Sequence, residues 1–418
     1  MFFYPLTIQE HFPFDSESNM FNFKCTGTLE DYYILLRLAY SLGLTPIVNV
    51  TTPKLGKFYK YYASLLLLLI LIGAGISFSG RILNVYPIFP VTITLVDGMS
   101  LIVLTLTNVV SIYNLSINRV GTNLMVDFFE GMSCVDTKLH KYCKKIDLKR
   151  YYIELIIGHI FIIIFYIYDG YVWIKYLGIY RFKAYICRSI QNYINFITMF
   201  MIRYYVLTIK LRFHGLNVYI QEYAKQILSS PVHIVHQHCF DEEFASCKRP
   251  ISSIYNALCD QINVFNKLYG LPTLLLSLYF ISELLVSLML SIIYYFQRHQ
   301  HMDGFHFGVD LFWLCFFWII KDFVSYLKII APCDGTIGEV KQIPIVCYKL
   351  LHEISDKSTL NYREKCLRSE LTLIALQSST IIPNFSAAGF FNIDFTTFFT
   401  LMGFVTSYLV VLIQFNGN

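Results

Sequence analysis

Charged side chains are scarce in this sequence. Asp, Glu, Lys and Arg together make up 15% of the 418 residues, whereas hydrophobic residues make up 56%. Soluble globular proteins carry about 25% charged residues, so this balance excludes a soluble protein of that length. The composition instead indicates a chain that crosses a membrane several times.

The sequence also lacks the motifs of common enzyme classes. It contains no glycine-rich phosphate loop, no GxSxG nucleophile elbow and no HExxH zinc motif. We therefore predict that the protein is not an enzyme and uses no cofactor. Its net charge of +5 is modest and is not gathered into a basic patch, so nucleic acid is not expected as a partner.

Seven apolar stretches are long enough to cross a bilayer, which takes about 20 residues per helix. The predicted fold class is an all-α membrane protein with seven transmembrane helices and helical extensions outside the membrane. Residues 1–60 come first and contain an amphipathic helix at 29–44, residues 208–268 and 331–394 form the polar extensions, and a single amphipathic helix is expected at 341–379. The predicted spans are 61–80, 91–115, 152–168, 185–207, 269–296, 307–330 and 395–415, with a short loop between spans three and four.

The distribution of Lys and Arg predicts the orientation of the chain. Twelve of these residues lie before span one or between spans two and three, against five on the opposite side. Because cytoplasmic loops carry the excess of positive charge, we expect an intracellular N-terminus. An odd number of spans then places the C-terminus outside the cell.

Polar and aromatic side chains gather in the outer halves of spans three to six. Aromatic walls with a few amides and carboxylates suit a pocket for a small polar or amphipathic molecule. Ordinary decoration of the membrane interface would produce the same residues, and structural ion pairing would account for Glu283 and His159. The candidate ligand-binding residues are Tyr166, Tyr168, Arg188, Gln191, Asn195, Glu283, Asp310 and Trp313.

Two further clusters favour structural explanations. The stretch from His233 to Cys247 contains three His and two Cys without a standard zinc-ligand spacing, so we interpret it as a polar loop and predict no metal site. Lys321 and Asp322 are adjacent on a helix and point about 100° apart, so pairing with other helices is expected rather than pairing with each other. A position at the inner boundary of the membrane would explain them equally well.

The last span resembles the C-terminal signature of insect gustatory receptors. That signature is Thr-Tyr, five hydrophobic residues and Gln-Phe; here Ser407 replaces the Thr and is followed by Tyr408, residues 409–413, Gln414 and Phe415. Further resemblances lie at residues 212–221 (RFHGLNVYIQ), 266–271 (NKLYGL) and 385–394 (FSAAGFFNID).

The resemblance implies a ligand-gated, non-selective cation channel in the plasma membrane of sensory neurons, opened by a small-molecule tastant. It implies a tetramer, formed alone or with related receptor subunits, in which residues 395–415 line the pore and the extensions form a cytosolic anchor. Residues three and four apart share a helix face. We therefore expect Ser407, Tyr408, Val411, Gln414 and Phe415 to form the pore and gate, although a solvated helix end would also explain Gln414.

Other classes of membrane protein fit the sequence less well. A G-protein-coupled receptor needs an outside N-terminus, and no DRY-type or NPxxY motif is present. A secondary transporter would show internal repeats and paired broken helices. Within the taste receptors, tyrosine-rich spans favour bitter plant compounds, but aromatic stacking also suits sugars.

Overall fold

The computed structural model is built almost entirely of α-helices. It describes residues 33–47, 58–139, 142, 148–229, 250–300, 308–355 and 362–416. A 3-10 turn, Tyr86–Ile88, follows α2, and a π-helical turn, Tyr113–Ile117, follows α3. The helices are α1 (Tyr33–Ser41), α2 (Tyr59–Asn84), α3 (Val91–Ile112), α4 (Arg119–Leu139), α5 (Leu148–Ser229), α6 (Pro250–Gln300), α7 (Val309–Ser355), α8 (Tyr362–Thr380) and α9 (Phe395–Asn416).

Several of these helices can cross a membrane. Among the described residues, four segments qualify by length and apolar composition, and Phe395–Val411 is a shorter apolar helix. The segment in α7 carries Asp310, Lys321 and Asp322, which lowers its apolar character. The four segments are Tyr59–Ile88, Val91–Ile117, Tyr151–Ser229 and Ile251–Tyr294.

Helix α5 is a hairpin of two limbs, residues 148–177 and 179–229. Gly178 breaks the helix between them with φ of 75°, a conformation that L side chains rarely adopt. Contacts confirm that the limbs run antiparallel: Trp173 stacks on Tyr185 and His159 bonds Tyr193. The prediction of a loop between spans three and four is therefore wrong, because the two helices continue until they meet at the single residue Gly178.

Polar contacts between neighbouring helices hold the bundle together at the end where α8 lies. Arg212 of α5 makes a two-pronged bond to Asp136 of α4, with N–O distances of 2.9 and 2.6 Å. Asn217 donates to the carbonyl of Glu339 in α7 at 3.0 Å. These contacts fix the extension of α5 against α4 and against the extension of α7, beyond the predicted spans.

Helix α8 packs on α6 and α7 beside this end. Ser252 of α6 donates to Gln377 at 2.6 Å, and Tyr255 donates to the carbonyl of Ile381 at 2.5 Å. The single helix expected at 341–379 is wrong, because α7 ends at Ser355 and α8 starts at Tyr362.

A small hairpin connects α8 to α9. Its two strands, β1 (Ser386–Ala387) and β2 (Phe391–Asn392), pair antiparallel. The hairpin lies so close to α6 that a Cβ on Gly270 would be 2.9 Å from the amide nitrogen of Ala388. Asp394 then accepts a bond from the amide of Thr397 at 2.8 Å and so caps the first turn of α9.

Candidate ligand-binding cleft and exposed terminal helix

A cleft lies in the half of the bundle remote from α8. It is formed by α5, α6 and α7. The space not filled by protein atoms is about 460 Å³, which includes the solvent-open region at the mouth of the cleft. A second, adjoining space shares Trp173, Tyr185 and Arg188 and reaches α3. The polar and aromatic lining of the cleft comprises Asp169, Trp173, Tyr185, Arg188, Ser189, Asn192, Glu283, Ser287, Cys315 and Trp318.

Four buried charges form a balanced network beside the cleft. Arg188 donates to Asp97 at 2.7 Å and to Glu283, and Arg81 donates to the other oxygen of Asp97 at 2.7 Å. Ser100 also donates to Glu283. Because two cations face two carboxylates, the network holds helices α2, α3, α5 and α6 together without net charge.

Aromatic rings cover this network. Trp173 and Tyr185 stack with their ring centroids 5.4 Å apart and their planes 8° apart. The Arg81 guanidinium lies 4.1 Å above the Tyr185 ring, a cation–π contact. The cleft therefore combines flat apolar walls with fixed charges.

Asp169 is a further buried carboxylate in the cleft. Its Oδ1 accepts hydrogen bonds from the indole nitrogens of Trp173 at 3.1 Å and Trp318 at 3.0 Å. Lys321 lies 3.8 Å from the Trp318 ring centroid and pairs with Asp322 at 2.9 Å. The expectation that Lys321 and Asp322 pair with other helices is wrong, since the long Lys side chain bends back to its neighbour.

The structure places the predicted ligand-binding residues at the cleft, deeper in the bundle and at the rim. Arg188 and Glu283 line the cleft, and Tyr166 packs against the surrounding apolar cluster. Gln191 and Asn195 are buried deeper in the bundle, where Thr105 donates to Gln191 at 3.3 Å.

The remaining predicted residues lie at the rim or outside. Tyr168 donates to the carbonyl of Asp310 at 3.2 Å, and the Asp310 carboxylate pairs with Lys175. Trp313 is 47% exposed and contacts Phe316 and Phe317 on its own helix, so it faces away from the cleft lining.

Sequence reasoning missed most of the cleft's charged and aromatic lining. Arg81 directly follows predicted span one, and Asp97 lies near the start of predicted span two. Asp169 lies at the exit of predicted span three, and Trp173 lies in the loop predicted after it. The signal that could have found them is a charged residue beside an apolar stretch. The missed residues are Arg81, Asp97, Asp169, Trp173, Tyr185, Asn192 and Trp318.

One face of α9 has no partner among the described residues. Phe398, Leu401 and Val405 are buried against the bundle, whereas the opposite face, including Gly403, is exposed. The exposed face includes Ser407, Tyr408, Val411 and Gln414, while the side chain of Phe415 lies outside the described residues.

The His- and Cys-containing stretch at 233–247 also lies outside the described residues. Within the part of the chain that the structure describes, no group of three or more His, Cys, Asp or Glu residues could hold a metal ion.

Solved structures and curated proteins resemble this chain. The olfactory receptor OR5 of the insect Machilis hrabei aligns with a TM-score of 0.59 and 12% identity, covering 92% of this chain and 97% of that one. Its complex with eugenol gives a TM-score of 0.55 at 11% identity. At such identity the likeness concerns the fold, and it confirms the predicted all-α membrane fold.

Two Drosophila melanogaster gustatory receptors match in part. Gustatory receptor 28a is 29% identical over 169 residues, 40% of this chain and 35% of that protein. Gustatory receptor 68a is 28% identical over 108 residues, 25% of each chain. The aligned segments thus span about a third or less of these relatives.

The family assignment rests on a match along nearly the whole chain. A family profile described as 7tm Chemosensory receptor matches residues 32–416. This match confirms the resemblance to insect gustatory receptors, and these relatives are receptors rather than enzymes. The chain belongs to the 7tm chemosensory receptor family.

Proposed function

We propose that the protein is a gustatory receptor that acts as a ligand-gated, non-selective cation channel for bitter plant compounds. The observation that carries the proposal is the pairing of an aromatic, charged cleft with an exposed helix in one chain. The cleft between α5, α6 and α7 would bind the tastant, and α9 would line the pore. Sugars are the alternative ligands, because aromatic walls also stack on sugar rings.

The fold of a solved insect receptor supports a small-molecule ligand. The Machilis hrabei olfactory receptor was solved in complex with eugenol, an aromatic compound. The cleft of the present chain is also lined by aromatic rings, including Trp173, Tyr185 and Trp318.

The exposed face of α9 supports a pore built from several copies. Val411 and Tyr408 are 44% and 59% exposed in the single chain. Four copies around an axis would cover one side of this face and leave a narrow apolar ring, which blocks hydrated ions by dewetting. Gln414 would contact passing cations, and Phe415 would complete the gate.

The proposal also assigns places to the other segments. Residues 1–60 would lie in the cytosol, spans 61–330 would form the ligand-binding bundle, and 208–268 with 331–394 would form the cytosolic anchor of the tetramer. The receptor would reside in the plasma membrane of sensory neurons, alone or with related subunits. Ligand binding opens the pore only through a higher affinity for the open state.

The test is to express the full chain and record currents with alkaloids, plant glycosides, sucrose and fructose. We expect current with bitter compounds, and Val411→Ala to raise the basal current by weakening the apolar ring. Val324→Ala is the matched control, because Val324 is 47% exposed, close to the 44% of Val411, but lies on α7 rather than on α9. Equal basal currents in both variants would argue against this gate. Currents evoked by sugars alone would mean that the ligands are sugars rather than bitter compounds.

A further inference from the structure

We propose that the cleft binds a protonated amine carried on a flat apolar body, with Asp169 as its counter-ion. This inference rests on the proposed function, because it assigns the ligand class of the same cleft.

The charges around the cleft leave one carboxylate without a cation. Arg81 pairs with Asp97, Arg188 pairs with Asp97 and Glu283, and Lys321 pairs with Asp322. Among the described residues no cation lies within ion-pair distance of Asp169. Charges buried in a membrane protein are normally paired, so a ligand cation would complete the set. The cations around the cleft are Arg81, Arg188 and Lys321, and the buried carboxylates there are Asp97, Asp169, Glu283 and Asp322.

Asp169 is held in a fixed orientation that leaves one oxygen available. The residue is 5% exposed, and both of its hydrogen bonds, from Trp173 and Trp318, reach Oδ1. Oδ2 has no hydrogen-bond donor among the described residues. Two indoles on different helix segments thus set the carboxylate at the wall of the cleft, where an ammonium group can reach it.

The aromatic rings around Asp169 favour the same ligand. Trp173, Tyr185 and Trp318 line the cleft together with Leu290 and Leu314. Ring faces attract cations within about 6 Å and also stack on flat groups. A molecule with an ammonium group and an aromatic body would therefore use both kinds of surface.

An unused donor in the lining provides an independent sign of a ligand. Asn192 is 5% exposed and lines the cleft. Its Oδ1 accepts from Tyr279 at 2.5 Å, but its Nδ2 has no hydrogen-bond partner among the described residues. A buried donor of this kind is costly to leave unpaired, so we expect the ligand to carry an acceptor oxygen in addition to the amine.

The test measures binding directly on the purified full chain in lipid nanodiscs, without recording current. The probes are tryptamine and tryptophol, which share an indole ring and a two-carbon chain but end in an ammonium and a hydroxyl group. We expect the wild type to bind tryptamine about tenfold more tightly, as is typical for a charge-assisted bond. Asp169→Asn should remove this preference and leave tryptophol binding unchanged.

The control is Asp310→Asn, because Asp310 is a carboxylate at the rim that already pairs with Lys175; the preference for tryptamine should survive. If Asp169→Asn does not fold, the wild-type preference and Asp169→Glu, which keeps the charge, provide the test. Equal binding of both probes by the wild type, or an unchanged preference in Asp169→Asn, would overturn the inference.

The outcome is separable from that of the proposed channel. A protein that prefers tryptamine through Asp169 but passes no current would support this inference and contradict the channel. A channel opened by bitter compounds whose cleft does not distinguish amine from alcohol would keep the channel and overturn this inference.

Discussion

Arg188 is the residue that links the two halves of the cleft's charge network. It bonds Asp97 on α3 and Glu283 on α6. Arg188→Met would leave Glu283 buried, with Ser100 as its remaining described donor. Breaking a buried ion pair in this way costs about 3–5 kcal/mol in soluble proteins, so we expect a marked fall in melting temperature, measured on the purified protein in nanodiscs.

The double variant Arg188→Met/Glu283→Gln should recover part of that loss, because it removes the uncompensated charge. Lys175→Met is the control: Lys175 also pairs with a carboxylate, but its side chain is 47% exposed, so the fall in melting temperature should be much smaller. Equal destabilisation of the two single variants would show that burial does not set the strength of these pairs.

Cysteine reactivity tests the burial of α7 beyond predicted span six, which ends at residue 330. Burial raises the pKa of the Cys347 thiol to about 12, whereas Cys134 of α4 is exposed. The reactive form is the thiolate, so a raised pKa keeps Cys347 protonated and slow until the pH nears that value. We expect iodoacetamide at about pH 8 to label Cys134 in the native protein and Cys347 only after denaturation, as measured by peptide mass spectrometry.

Native labelling of Cys347 at the rate of Cys134 would contradict the packing of α7 in this region. A Cys347→Ser variant identifies the relevant peptide and serves as the blank.

Individual residues of the cleft could be predicted from the sequence, but the residues that they contact could not. Arg188 and Glu283 stood out because ionisable residues at membrane depth have few explanations. Asp169 and Trp318 are 149 positions apart, and no local pattern reports such a contact. Trp313 shows the opposite case, because an aromatic residue in the correct span can face outward.

At the scale of elements, the hairpin between α8 and α9 depends on Gly270. A Cβ at this position would lie 2.9 Å from the amide nitrogen of Ala388 and 3.2 Å from the carbonyl oxygen of Ser386. Gly270→Ala should therefore push the hairpin away from α6 at a cost of about 1–3 kcal/mol. We expect a lower melting temperature and an altered basal current, because the hairpin leads directly into α9.

Gly338→Ala is the matched control on α7, since no described atom lies within 4 Å of its added Cβ. It should be neutral or stabilising by up to about 1 kcal/mol, as alanine favours the helix. A Gly270→Ala protein as stable as Gly338→Ala would mean that the hairpin does not rest on α6.

The helices were largely predictable from the sequence, but their ends were not. Apolar runs of about 20 residues locate spans whatever their tertiary context. Pro332 and Pro344 lie inside α7 without ending it, because packing against neighbouring helices outweighs the local preference. The strands of the hairpin are two residues each, too short for any periodic pattern.

At the scale of the whole molecule, the terminal helix is the part that a single chain leaves incomplete. Helix α9 buries Phe398, Leu401 and Val405 against its own bundle, yet Phe404 and Val411 remain 52% and 44% exposed. In a membrane such a face can meet lipid or other copies of α9. The polar Ser407 and Gln414 on this face favour other copies, because amides and hydroxyls are stabilised by hydrogen bonds between helices.

An oxidative cross-linking experiment distinguishes these two surroundings. If α9 helices meet around an axis, Val411→Cys on neighbouring subunits should form disulfide-linked dimers in cell membranes treated with copper phenanthroline, because a disulfide needs Cα atoms less than about 7 Å apart. Ile76→Cys is the control, since Ile76 is 69% exposed on α2 and would face lipid in the same assembly. The wild type sets the background from the native cysteines.

We expect dimer bands for Val411→Cys alone and a reduction of channel current when the bond forms, reversed by a reducing agent. Cross-linking at both positions would indicate random collisions, and cross-linking at Ile76→Cys alone would place α2 rather than α9 between subunits. The current measurement then decides whether the face of α9 is a pore or only a contact, because a bond across a contact outside the pore need not block ions, whereas a bond across a narrow apolar ring must hold it closed.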